Sequence, residues 1–132
     1  MTKTNSNFLH LLEAAKAQSK PQRLLFLLAK SERDNKAKKS KARGTISPVA
    51  CVDKLPEELT NLMDFIKEAD QITTDWDMVF IAGMSGENEI APSTEDAAPL
   101  LEKMASDLLS AADLSRYLIL TRDDEMVELM AE

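Results

Sequence analysis

Met78, Val79, Phe80, Ile81 and Ala82 form an unbroken apolar run, set between the acids Asp75 and Asp77 and a Gly-x-x-Gly stretch at Gly83 and Gly86. A run this short is strand length, and a strand without polar alternation needs cover on both faces. Sequence with helical periodicity lies on either side of it. The chain is thereby constrained to a sheet with helices packed on it, and this run is expected to be the central strand.

The neighbouring segments extend that pattern. Residues 5–20 predict a helix capped by Asn5 or Ser6, with Phe8, Leu11, Leu12 and Ala15 on one stripe. Pro21 ends it. Residues 23–30 (Arg-Leu-Leu-Phe-Leu-Leu-Ala-Lys) favour helix by propensity but strand by length and flanks. Strand is preferred and helix stays open. Residues 45–52 read as a second strand, with Pro48 near its start or at an edge because it donates no hydrogen bond. Pro56, Glu57 and Glu58 open a helix to about residue 69, with Leu59, Leu62, Met63 and Ile66 as its stripe. Ser93 and Asp96 match a capping box, and Leu100, Leu101, Met104, Leu108 and Leu109 follow. Pro99 in that helix is tolerable only near the first turn. Residues 116–120 and 125–129 read as a terminal hairpin.

From this order we expect an α/β fold: one small domain over residues 1–132, with a mixed, mostly parallel sheet of about five strands and about three flanking helices. The first and last strands would be antiparallel edges. The 132-residue length suits one domain, with roughly two-thirds of the unfolded chain's surface buried.

Charge is unevenly placed. Residues 1–43 carry eleven Lys/Arg and three Asp/Glu, whereas residues 44–132 carry five and twenty. Part of the basic excess is a loop at about 31–44 that holds Arg33, Lys36, Lys38, Lys39, Lys41 and Arg43 and no large apolar residue. Such a segment predicts a mobile surface loop, or weak, salt-dependent contact with nucleic-acid phosphates. No aromatic residue is interleaved there for base stacking. Cys51 and His10 are the only cysteine and the only histidine. An internal disulfide and a self-contained zinc cage are thus excluded, and the pattern suits a reducing cytoplasm. No apolar run reaches the ~18 residues of a membrane span, and the N-terminal apolar stretch is broken by His10 and Glu13.

Four segments carry a resemblance: Pro21-Gln22-Arg23-Leu24-Leu25-Phe26, the stretch from Cys51 through Leu59, the stretch from Trp76 through Ala82, and the stretch from Ala91 through Ala97. They resemble a family of small bacterial proteins that often carry the automatic name "ribonucleotide reductase subunit alpha". The resemblance covers most of the chain apart from the Lys-rich loop and implies no catalytic residue. That name does not fit the chemistry, because such reduction needs a cysteine radical and a further cysteine pair, and this chain has Cys51 alone.

No catalytic constellation, metal site or cofactor motif is legible. Cys51 reads as a small buried hydrophobe and His10 as a helix-surface residue. Asp75 and Asp77 read as solvated turn residues, and Trp76 as a cover for one end of the core. The best ligand-binding candidates lie at the carboxyl ends of parallel strands: Asp53, Lys54, Ser85, Gly86 and Arg122, with Glu87, Thr121 and Asp123 beside them. The expected function is a small binding or regulatory module with an unknown protein partner and no reaction of its own. A small-ligand or nucleotide-binding protein, possible enzyme included, is the first alternative, and weak nucleic-acid binding through residues 33–43 is the second.

Overall fold

In the computed structural model, residues 6–32, 45–110 and 117–127 are described. Helix α1 spans Asn7–Lys16, and strands β1 and β2 span Gln22–Glu32 and Thr45–Lys54. A single 3₁₀ turn at Pro56–Glu58 precedes α2 at Leu62–Asp70. Strand β3 covers Met78–Ser85, α3 Thr94–Leu109 and β4 Leu118–Thr121. The basic loop residues Arg33, Lys36, Lys38, Lys39, Lys41 and Arg43 lie outside the described residues, and β1 takes up the first two positions expected of that loop.

The sheet corrects the expected architecture. Among the described residues it has four strands in the order β2-β1-β3-β4, and every neighbouring pair is antiparallel. The mixed, mostly parallel sheet of about five strands is not what forms. A helical pattern between two strands reports that the chain leaves the sheet, but not where it re-enters. After α2 the chain passes β1 and docks β3 on its far side, so β2 and β3 point the same way without touching. After α3 it returns beside β3 in the opposite sense. Of the expected terminal hairpin, the described residues show β4 and an antiparallel bridge of Leu120 with Met126, while residues 116 and 128–129 lie outside the described set.

The ambiguous segment 23–30 is strand, and it is interior. Six consecutive residues, Leu24 through Ala29, are buried, because alternate side chains serve opposite faces. Leu24, Phe26 and Leu28 join Phe8 and Leu12 of α1 and Phe65 and Ala69 of α2 on one face. Leu25, Leu27 and Ala29 join Ala97, Leu101, Met104 and Leu108 of α3 on the other. On the first face the rings of Phe26 and Phe65 lie 4.5 Å apart, with Phe8 5.8 Å and Trp76 6.3 Å from Phe65.

Helix α2 bears out three of the four residues of its expected stripe, since Leu59 is buried and Leu62 and Ile66 pack against the same core. Pro56 makes only the 3₁₀ turn, and Asn61 starts the helix proper by accepting from the Asp64 N–H at 2.8 Å. Phe65 and Ala69, not in the expected stripe, are the buried residues of the helix, and Met63 is 65 % exposed. Helix α3 has the capping box expected of Ser93 and Asp96, with both bonds at 3.0 Å. It runs on through Pro99, past the first turn, and gives up the N–H that Pro lacks.

β2 is an edge strand, and its pairing with β1 shifts register between Leu28 and Ala29, opposite Ala50 and Pro48. Pro48 is therefore at the edge position its chemistry requires. A bulge and a proline blunt an edge against stray strand pairing.

Helix α1 is held from the far end of the chain. The Asp124 carboxylate accepts from the Asn7 N–H at 3.1 Å and the Phe8 N–H at 2.9 Å, while the Ser6 hydroxyl accepts from Leu9 N–H at 3.1 Å. The Asn7 side-chain amide donates to the Asp124 carbonyl at 2.9 Å. Asp124 has φ 67°, a left-handed conformation that Asp tolerates better than most residues. Asp124→Ala removes an N-terminal anion from α1 and should cost about 1–2 kcal/mol. The check is urea unfolding followed by fluorescence of Trp76, the single tryptophan.

Candidate functional site

The antiparallel order splits the expected ligand rim. Asp53, Lys54, Ser85 and Gly86 do share one end of the sheet, because β2 and β3 both finish there beside the start of β1. Arg122 does not join them. Thr121 pairs with Met78 at the start of β3, roughly 24 Å along the strand from Ser85.

Each residue at the shared end has an internal partner. Asp53 accepts from Arg23 Nη1 at 2.6 Å and from the Thr94 hydroxyl at 2.8 Å, and the Arg23 Nε–H donates to the Pro92 carbonyl at 2.5 Å. The Arg23 and Asp53 side chains are only 13 % and 15 % exposed, so this pair works as a strut between β1, β2 and the entry to α3. Lys54 lies on the opposite face and pairs with Glu68 of α2. Gln22 donates to the Ser85 hydroxyl at 2.8 Å.

Gly86 is where the chain's own backbone segments come close together. Its N–H donates to the Pro21 carbonyl at 2.8 Å, and a Cβ there would sit 1.9 Å from the Ile90 carbonyl oxygen. It leads into a tight hairpin in which Glu87 and Ile90 exchange backbone hydrogen bonds at 3.1 and 2.9 Å. The two turn residues, Asn88 and Glu89, have φ 53° and 63°, the signs of a type I′ turn. Gly83 lies inside β3 rather than in a loop, so the Gly-x-x-Gly pair is not a phosphate-cradling turn.

Between the end of β3, this hairpin and the start of α3 lies an open groove of about 340 Å³, walled by Met84, Gly86, Ile90, Ala91, Pro92 and Asp96 among others. Ile90 is 69 % exposed. A second groove, about 240 Å³, runs between Leu11 and Ala15 of α1, Gln18 just beyond it, and Ile81 and Gly83 of β3. Sequence reasoning missed Arg23, Thr94 and Ile90. The signal for Ile90 was the Glu-Asn-Glu-Ile stretch, whose Asn88 is a residue that accepts positive φ but lacks the following glycine that usually marks such a hairpin.

At the opposite end, Arg122 Nη1 and Nη2 donate to Asp70 at 3.0 and 2.7 Å, and the guanidinium carbon stands 4.3 Å from the Trp76 ring centroid. The Trp76 indole N–H also donates to Asp70, at 3.0 Å. The Arg122 hydrogen bonds, with the indole bond and the guanidinium charge adding to them, hold the Asp70 carboxyl below its ordinary value despite some desolvation. Asp77 accepts from the Ser31 N–H and hydroxyl, so it fastens β1 rather than waiting as a free acid. The expectation that Trp76 closes one end of the core agrees with its 3 % exposure.

Cys51 is exposed on the edge strand β2, not buried as expected. Packing around its sulfur nevertheless pushes the thiol up, which keeps it protonated and a poor nucleophile at neutral pH. His10 is exposed on α1. Among the described residues no group of three or more His, Cys, Asp or Glu is placed to hold a metal ion, and no helix is long and apolar enough to cross a membrane. In comparisons with known proteins, no family model, curated protein or solved structure matches this chain.

Two outcomes follow from this geometry. Because Asp70 is depressed in the fold, its contribution to stability is present above the unfolded carboxyl value of about 4 and lost as pH falls through the lower folded one. Asp70→Asn should therefore flatten part of the acid-induced loss of stability, read from unfolding midpoints between about pH 5 and pH 2. In the hairpin, Glu89→Gly should raise stability by up to about 1 kcal/mol by relieving the positive φ, and Gly86→Ala should lower it by about 1–3 kcal/mol. Thermal midpoints of the two variants check both signs.

Proposed function

We propose that this chain is a small protein-binding module, regulatory in effect, with no reaction of its own. One observation carries this reading: the polar residues at the one end where a ligand rim could form are engaged with each other. Arg23, Asp53 and Thr94 brace α3, Lys54 braces α2, and Gln22 holds Ser85. What faces solvent there is a preformed groove in which Met84, Ala91 and Pro92 stand beside the acids Glu87 and Asp96, with the exposed side chain of Ile90 at its edge. A surface of that kind suits a partner protein better than a small polar ligand, which would first have to displace these bonds. A reducing, cytoplasmic setting belongs to the same proposal, on the strength of the exposed thiol of Cys51. Kinship with the small bacterial family is likewise proposed, on the four resembling segments alone.

Immobilised protein incubated with lysate from the source cells should retain a specific, stoichiometric partner, identified by mass spectrometry. In parallel, a panel of nucleotides and phosphorylated metabolites should leave the thermal midpoint unmoved. A true ligand at a hundred times its Kd would add about 2.7 kcal/mol. A clear metabolite shift with no retained partner would overturn the module in favour of a small-ligand protein.

A further inference from the structure

We propose that the groove beside Ile90 docks a basic segment of a partner protein, with one apolar side chain of that segment seated between Met84, Ile90 and Pro92. This rests on the binding-module reading and gives it a surface and a partner chemistry.

The groove is built before any partner arrives. One wall is a hairpin locked by paired Glu87–Ile90 backbone bonds and by the Gly86 N–H on Pro21. The other is fixed by Arg23, which reaches the Pro92 carbonyl while paired with Asp53. Walls that do not need ordering lower the cost of binding. The volume of about 340 Å³ is on the order of ten waters' worth, room for one large side chain and some backbone. Ile90, stiff at χ1, 69 % exposed and paired with Glu87 just after the two-residue turn, is an apolar post at its edge.

The charged residues that line the groove, Glu87 and Asp96, are both acidic. From Gly83 to Leu101 the sequence contains four Asp/Glu and no Lys, Arg or His. Glu87, Glu89 and Glu95 are exposed around the groove and Asp96 lies on its wall. The nearby guanidinium of Arg23 is already matched by Asp53. Such a rim attracts Lys and Arg flanking an apolar anchor and repels an acidic peptide or a nucleic-acid phosphate. The groove under α1 lacks this complementarity, since its polar lining is Gln18 and Gln22.

The test uses the full chain and synthetic peptides of about ten residues in three matched sets: one Leu, Phe or Met flanked by Lys/Arg, the same anchors flanked by Glu, and Lys/Arg flanks around Ala. Fluorescence polarisation should show the first set binding about tenfold or more tighter than either other set, and losing that margin near 1 M salt. Ile90→Asp should weaken it about tenfold, while Ala14→Asp, on the second groove, should not. Replacing both Glu87 and Glu95 by Lys should turn the preference toward Glu flanks. Trp76 fluorescence and thermal midpoints confirm that each variant is folded. Equal binding of Lys- and Glu-flanked sets, no binding by any set, or indifference to Ile90→Asp would overturn the proposal. So would self-association that Ile90→Asp abolishes, which would make the groove a contact between copies of this chain. A lysate partner retained equally by wild type and Ile90→Asp would sink the groove and leave the module standing, whereas loss of both would sink the module.

Discussion

Everything in this molecule hangs on β1 being covered on both faces. Leu24, Phe26 and Leu28 belong to one core and Leu25, Leu27 and Ala29 to another, so a single six-residue run is shared by two hydrophobic layers. Neither layer could close without it. Burial of side chains this size stabilises by about 1.5–3 kcal/mol each, and here alternate residues collect that gain from opposite sides of the same backbone. The run also explains the topology. With β1 in the interior, β2 and β3 can each pair with one of its edges, and both pairings are antiparallel.

The polar residues act within that frame as fasteners. Arg23 stands on β1, yet its contacts reach β2, the turn before α3 and, through Asp53, the first residue of α3 itself. A mostly buried ion pair contributes little to net stability once desolvation is counted, but it is costly to break and sets geometry sharply. Here the geometry it sets is the wall of the groove. On the opposite face Lys54 meets Glu68 of α2 in a more exposed pair, a weaker link between sheet and helix. Charges that look like a ligand rim along the sequence are, in three dimensions, the ties between the helices and the sheet.

Much of this was legible before the structure. The apolar run at 78–82 is strand, the run at 24–29 is strand despite its helix-forming residues, and Ser93 with Asp96 caps α3 as its spacing says. These are local properties, and local physics decides them. What could not be read was long-range: whether β3 would settle beside β2 or across β1, and whether Arg122 would finish near Asp53 or near Asp70. The face of α2 was read in part: Leu59, Leu62 and Ile66 pack on the core as their spacing says, but Met63 falls at the edge of that stripe and faces out, while Phe65 and Ala69 fill its centre. Cys51 was placed in a strand correctly, but its exposure depended on β2 being an edge, which is again a matter of strand order.

The tie between Asp124 and the first turn of α1 joins positions 116 and 117 residues apart. On the ribosome, α1 emerges early while its anchor is still to be translated. Until residue 124 clears the exit tunnel, the amides of Asn7 and Phe8 have only water, and Phe8 has an unfinished core beneath it. Helix α1 is therefore made well before it can be fastened, and the nascent chain carries that apolar stripe uncovered while the 116 residues after Phe8, up to Asp124, are added.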